Sequence, residues 1–208
     1  MIPRLIHRIW IEGSPPASPE MVRHGVRWEE LNPGWTVRTW GGPDGFTMTN
    51  ACLYRRAPWT DGLRYRSDLL RLEILLRFGG LYVDMDVEPL RPIEGLMEGS
   101  EAVAAWSPNL WKGKRVLSNA FLAAVPGHPW IQRCVDKMRM SIQTYTGQFT
   151  AMVTGPHHVN RCLQKGDHVT ILEPPVVYPT RAEELPTAYT FHSWANRAKL
   201  KRREVAAR

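Results

Sequence analysis

The sequence predicts a single α/β domain that opens as a parallel sheet, and three observations carry that expectation. The 208 residues suit one domain, and with 43% hydrophobic and 23% charged residues they can bury a sizeable core, which excludes disordered, collagenous and coiled-coil classes. Short β-forming runs alternate with helical patterns from the N-terminus onward. A long apolar helix then passes through a glycine pair into a short strand that ends in two carboxylates.

Leu5-Ile6-His7-Arg8-Ile9-Trp10 reads as a first strand closed by a Gly-Ser-Pro-Pro turn. Ser18-Pro19 offers an N-cap and a first helical position, and Asn32-Pro33-Gly34 stops that helix after Leu31. Trp35 to Trp40 alternates as a second strand, completing a β-α-β opening of the kind that starts a parallel sheet. From Asp61 to Phe78, Leu63, Leu69, Leu70, Leu72, Ile74, Leu75 and Leu76 crowd a helix that must be buried on more than one side, and Gly79-Gly80 ends it. Leu81-Tyr82-Val83 then delivers Asp84-Met85-Asp86 to a strand's carboxyl end, where α/β sheets gather ligands. Ala102 to Trp106, Leu117 to Ala124 and Val169 to Leu172 read as further strands, and His128 to about Gln143 as a helix. No internal repeat, low-complexity tract or linker divides the chain.

The net charge of +7 is unevenly spread. From Ala195 to Arg208 six basic residues face one acid, a balance of +5 that leaves +2 for everything before it. The reading is therefore a domain over residues 1–194 and a basic tail over 195–208. Such a tail is either a solvated terminus or an electrostatic footprint for a polyanion. Cys52, Cys134 and Cys162 are odd in number and widely spaced, which favours neither a metal knuckle nor a disulfide framework and suits a reducing compartment. No signal-peptide core and no stretch of roughly 20 apolar residues is present, so a cytoplasmic location, peripheral to a membrane at most, is expected.

Two carboxylates one residue apart at a strand end can share a hard divalent cation if a turn aims both at one point, and oxygen ligands suit Mg²⁺ or Mn²⁺. A cation there can clamp a diphosphate and neutralise a departing nucleotide. A bare D-x-D is more often a solvated loop pair. Here the preceding helix adds Arg64, Asp68 and Arg71 on one face. That stripe is either a surface ion-pair ladder or a polar wall of the same cleft, able to hold ribose hydroxyls and phosphate.

Arg66-Ser67-Asp68-Leu69-Leu70-Arg71 and Phe78-Gly79-Gly80-Leu81-Tyr82-Val83-Asp84-Met85-Asp86-Val87-Glu88-Pro89-Leu90 resemble the DXD-containing sugar-transferase family. That family includes yeast initiating mannosyltransferases, bacterial capsule glycosyltransferases and, more distantly, large clostridial glucosylating toxins. Weaker likenesses lie at Ile6 to Trp10, Leu117 to Phe121, Pro126 to Pro129, Thr154 to Pro156 and Phe191 to Trp194. The resemblance implies a GT-A, Rossmann-like α/β fold with a mixed sheet flanked by helices, a nucleotide-sugar donor that is most often a UDP-sugar, Mn²⁺ or Mg²⁺, and retention of anomeric configuration. Matched by motif, it implies that Trp10 stacks on the base, Asp68 binds ribose, Arg71 contacts phosphate or sugar, and Tyr82 supports the donor. It further implies that Asp84 reaches ribose and sugar with a water-mediated metal contact and that Asp86 ligates the metal. His192 is implied as an additional metal or diphosphate contact, Trp194 as a residue closing over the donor, and Asn119 as one facing sugar or acceptor.

Two other classes fit less of the sequence. Haloacid dehalogenase-type phosphatases also carry D-x-D after an apolar strand, but expect Thr or Val where Glu88 stands and a motif near the N-terminus. A nucleic-acid or membrane-surface binding module accounts for the basic tail and leaves the carboxylate block without a purpose. For a transferase, a basic face suits a polyanionic acceptor: DNA with a hydroxymethylated base, or an anionic glycan or lipid-linked acceptor. His157 and His158 point to different sides of any helix and read as structural or acceptor-facing, and Lys112, Lys114 and Arg115 as a basic loop near the acceptor mouth.

Overall fold

A computed structural model describes residues 1–57 and 61–192. In chain order the strands are β1 (Leu5–Ile9), β2 (Thr36–Trp40), β3 (Gly80–Val83), β4 (Val87–Pro89), β5 (Ala102–Trp106), β6 (Leu117–Ala124), β7 (Val169–Leu172) and β8 (Thr190–His192). The helices are α1 (Pro19–Leu31), α2 (Ala51–Arg55), α3 (Gly62–Phe78), α4 (Glu94–Met97), α5 (Pro129–Asp136), α6 (Met138–Thr144), α7 (Thr150–Val153), α8 (Pro156–Cys162) and α9 (Pro174–Val177). Six strands form one sheet in the order β2-β1-β3-β6-β5-β7, and β4 pairs with β8 in a separate ribbon. β1 is parallel to both β2 and β3, whereas β6 runs antiparallel to β3 and β5. The mixed sheet expected from the sequence is thus present, with the β-α-β opening as its parallel half. The proposed boundary at 194/195, the basic tail and Trp194 lie outside the described residues.

Alternation along the strands builds a core on each face of the sheet. Tyr82, Ala102, Ala104, Leu122 and Ala124 join one cluster with Leu69, Leu72, Leu75 and Trp130. Leu81, Val83, Val103, Ala105, Phe121 and Ala123 join the other with Trp28 and Trp35. In α3 every residue from Asp68 to Leu75 is buried, more than two turns without a solvent side, as its leucine density predicts. Leu63 is an exception: at the first turn of α3 it is exposed. The buried Glu73 carboxylate is satisfied by the backbone N–H groups of Thr49 and Asn50, which anchors the loop before α2.

Local signals hold at several ends. Ser18 caps α1, its hydroxyl accepting from the Met21 N–H at 3.2 Å, with Pro19 in the first turn. The helix predicted over 128–143 is broken into α5 and α6 at Lys137. The reason lies elsewhere in sequence, since His158 Nε2 donates to the Cys134 carbonyl at 2.8 Å and inserts a side-chain donor beside the break. Gly80 has φ +89°, and an added Cβ would meet the Leu5 carbonyl oxygen at 2.5 Å. Only glycine therefore lets the end of α3 enter the sheet beside β1. Among the described residues no helix is long and apolar enough to cross a membrane.

His7 locks β1 to this junction. Its Nε2–H donates to the Gly79 carbonyl at 2.9 Å while Nδ1 accepts from the Trp40 indole N–H at 3.2 Å, an arrangement only the neutral ring can make. Burial holds its pKa down at about 4, against the upward pull of the Gly79 hydrogen bond. The unfolded chain takes up a proton near pH 6.5 and the folded chain only near 4, so stability is full above 6.5 and falls as the pH drops through this window. Acid unfolding of the wild type should therefore lose about 3 kcal/mol more between these limits than a His7→Gln variant. Denaturant titrations at pH 7, 5.5 and 4 measure the difference, and parallel pH profiles would refute it.

Candidate active site

The two carboxylates converge because the chain turns between them. The Val87 N–H donates to the Asp84 carbonyl at 3.1 Å, closing a turn over Asp84-Met85-Asp86-Val87 directly beyond β3. The Asp84 N–H donates to the Ala120 carbonyl at 3.0 Å, so the turn hangs on β6 as well. Arg8, buried at the end of β1, donates to the Met85 carbonyl at 3.1 Å and to the Met21 carbonyl on α1. The guanidinium passes against Gly25, where an added Cβ would lie 2.3 Å from Arg8 Nη1 and displace it. Beyond the turn, β4 pairs with β8 so that Val87 faces His192, which carries the imidazole to the carboxylates. Ligand atoms of Asp84, Asp86 and His192 all lie within 4.8 Å of one another, and His192 Nε2 is 3.4 Å from Asp86 Oδ1.

Behind this cluster sits a buried guanidinium. Arg71 Nη2 is 3.1 Å from Asp68 Oδ1, and Nη1 is 3.1 Å from Asp84 Oδ1 and donates to the Asn119 carbonyl at 2.6 Å. The Tyr82 hydroxyl donates to the same Asp84 oxygen at 2.6 Å, and the Arg71 guanidinium lies 4.5 Å from the Tyr82 ring centre. Two donors on Oδ1 fix the rotation of the Asp84 carboxylate. Asp68 in turn accepts from the Asn119 side-chain amide at 2.8 Å and the Thr154 hydroxyl at 2.9 Å. Asn119 reaches it because β6 is irregular: Ala104 pairs with Leu122 but Ala105 with Ser118, so residues 119–121 bulge from the β5 ladder at the site.

Electrostatics follow from this packing. Burial works against the Asp84 carboxylate, but the Arg71 charge and the His192 and Tyr82 hydrogen bonds outweigh it and hold its pKa at about 2. Burial likewise disfavours the His192 imidazolium, yet its hydrogen bond to Asp84 and the charges of Asp86 and Asp84 raise its pKa above the usual value. Asp68 and Asp84 flank the Arg71 guanidinium, burial pushing the Asp68 pKa up, while Asp86 lies with Asp84 and His192 at the partly exposed side of the cluster, where acidic oxygens suit a divalent cation.

The structure therefore brings together Asp68, Arg71, Tyr82, Asp84, Asp86, Asn119 and His192. Trp10 is half-buried at the end of β1, on the same sheet edge, with its indole N–H donated to the Pro15 carbonyl. Arg64 does not join the wall of the cleft: its side chain is exposed and lies 3.8 Å from Asp61. The spacing of four from Asp68 was a sound helical signal, but the first turn of α3 leaves Leu63 and Arg64 exposed. Sequence reading missed Arg8 and Gly25, which hold the carboxylate turn from behind, and gave Thr154 no chemical role. It also missed that α5 and α8 bring Cys134, His158 and Cys162 within 4.8 Å of one another. There the Nε2–H of His158 is committed to the Cys134 carbonyl, so the cluster reads as helix packing.

Comparison with known proteins agrees with this geometry. Residues 23–103 match the family described as a glycosyltransferase sugar-binding region containing a DXD motif. The O-glycosyltransferase braB of Annulohypoxylon truncatum is 26% identical over 61% of this chain and 35% of its own length. The mannosyl phosphorylinositol ceramide synthase CSH1 of Saccharomyces cerevisiae is 24% identical over 67% of this chain and 36% of its own length. The chain thus spans little more than a third of each of these relatives. Among solved structures, the PaToxG glycosyltransferase superposes with a TM-score of 0.63 at 17% identity, covering 78% of this chain and 69% of that one. The UDP-bound glycosyltransferase domain from the YGT toxin gives 0.51 at 12% identity, covering 82% and 79%. These likenesses establish the GT-A type of α/β fold. The D-x-D turn at the end of β3 lies within the segment, residues 23–103, that matches the glycosyltransferase sugar-binding region containing a DXD motif.

Proposed function

We propose that the protein moves a sugar from a nucleotide-sugar donor, a UDP-sugar with Mn²⁺ or Mg²⁺, to an acceptor hydroxyl. The observation that carries this reading is the convergence of Asp84, Asp86 and His192 within 4.8 Å beyond β3, ordered from behind by Arg71. Two carboxylates and an imidazole at this spacing fit a divalent cation held by Asp86 and His192 with Asp84 beside them. Such a cation, when bound, neutralises the diphosphate that leaves.

The chain's own residues supply the rest. Trp10 offers an aromatic face for the base at the end of β1. Asp84, held ionised and rotationally fixed by Arg71 and Tyr82, addresses the ribose and sugar hydroxyls. Asp68 and Arg71 are both buried and share in the donor site by holding Asn119 and Asp84 in place. Asn119, on the bulge of β6, faces the sugar or the acceptor. With retention of configuration, the acceptor proton passes to an oxygen of the departing phosphate, and proton NMR of the product linkage reads the outcome. The name of the yeast relative favours a glycan or lipid-linked acceptor. The alternative, a hydroxymethylated base in DNA, rested on a basic tail outside the described residues.

Two substitutions test this assignment. Asp86→Ala should lower transfer by at least about 100-fold with the melting temperature near the wild-type value, and near-wild-type turnover in Mn²⁺ would overturn the reading. Arg71→Met leaves the buried Asp68 and the partly exposed Asp84 without their cation, so it should destabilise the fold by about 3 kcal/mol in denaturant titrations as well as removing activity. An Arg71→Met protein of unchanged stability would show that the buried ion pairs are not what orders the site.

A further inference from the structure

A cluster of aromatic rings stands on the same sheet edge as the carboxylate turn and takes no part in the donor site. The Ser107 N–H donates to the Val116 carbonyl at 2.8 Å, carrying the β5–β6 pair outward, and Trp111 and Lys114 close it by exchanging backbone hydrogen bonds of 2.9 Å. Lys112 at φ +48° and Gly113 at φ +75° fill the two central positions, both positive as a type I′ turn requires. The tip is therefore a defined hairpin that presents Trp111. Its ring centre lies 5.3 Å from Phe149 and 5.0 Å from His157, with Phe149 and His157 6.3 Å apart. Trp111 is 39% and Phe149 48% exposed.

Each part of the cluster is tied by a short chain segment to a residue of the donor site. The hairpin runs into β6, where Asn119 donates to Asp68. His157 follows Thr154, which donates to the other Asp68 oxygen, and Gly155, where a Cβ would lie 3.2 Å from that oxygen. Phe149 precedes α7, the helix that leads into Thr154. The aromatic corner is thus joined to the donor-site residues by segments of a few residues each.

The ring geometry selects the ligand. The three planes meet at 53°, 69° and 85°, forming a corner with no parallel pair. A nucleobase gains most from a face-on platform, whereas a puckered pyranose turns C–H bonds in several directions and can touch an angled corner at more than one. The Lys112 ammonium lies 5.9 Å from the Trp111 ring centre, and exposed Lys114 flanks the same tip. Arg115 is ion-paired with Glu173. The lysines complement a carboxylate or phosphate on the sugar.

We propose that Trp111, Phe149 and His157 form the acceptor platform, which takes a pyranose ring of an acidic glycan with Lys112 and Lys114 facing its anionic group. This rests on the glycosyl-transfer reading, and the test separates the two. Isothermal titration of the full chain uses a hyaluronan hexasaccharide as the probe, with a single-stranded oligothymidylate as the competing class and UDP with Mn²⁺ as the donor-site readout. The wild type should bind the hexasaccharide, and Trp111→Ala and Phe149→Ala should each weaken it about tenfold. Trp111→Tyr should retain binding, and UDP affinity should be unchanged throughout. Both rings are exposed, so the variants should fold, as their melting temperatures will show. Failure of the wild type to bind the hexasaccharide, undiminished binding by both alanine variants, or loss of oligothymidylate binding alone would overturn the platform. Hexasaccharide binding lost in Trp111→Ala, in a protein that does not bind UDP, would uphold the platform and refute the transfer reading.

Discussion

The site depends on one buried cation. Arg71 lies within 3.1 Å of both Asp68 and Asp84 and donates to the Asn119 carbonyl, so a single side chain ties α3, the end of β3 and the bulge of β6. A guanidinium suits this position because its fixed fork satisfies several acceptors at once and stays charged when buried. Its desolvation is offset by two carboxylates, and those carboxylates lose their compensation without it. The same packing that makes α3 a core helix therefore makes it the scaffold of the site: eight buried residues in succession carry the sheet on one side and the ion pairs at one end.

Much of this was legible in the residues. Strand periods, the Ser18 cap and the glycine stop at 79–80 are local signals, decided by sterics and hydrogen bonding within a few positions, and they placed the elements of the parallel half of the sheet. The D-x-D after a short strand and the threefold spacing of Asp68 and Arg71 singled out, for the same reason, residues that the fold brings together. What escaped was non-local. No pattern near Arg8 announces that it crosses to the Met85 carbonyl, since the requirement appears only as a glycine on another element at position 25. The bulge that frees Asn119 is a mismatch between two strands and cannot be read from either alone.

Charge shows the same division. Counting residues suggested a nearly neutral body, yet the count says nothing of where the acids gather. In the fold Asp68 and Asp84 flank one guanidinium and Asp86 stands beside Asp84, all at one edge of the sheet, while lysines stand at the tip of the β5–β6 hairpin. Acidic and basic groups are thus gathered in separate places that a net count averages away.

The ribbon of β4 and β8 sets an order of assembly. His192 comes to the carboxylates only by pairing its strand with Val87, residues far apart along the chain. A chain still emerging from the ribosome could complete α3, β3 and the Arg71 ion pairs well before this strand exists, and contacts of such long separation form late. Nascent chains would therefore carry the two carboxylates without the imidazole, and the three-residue cluster is finished only once β8 has been made.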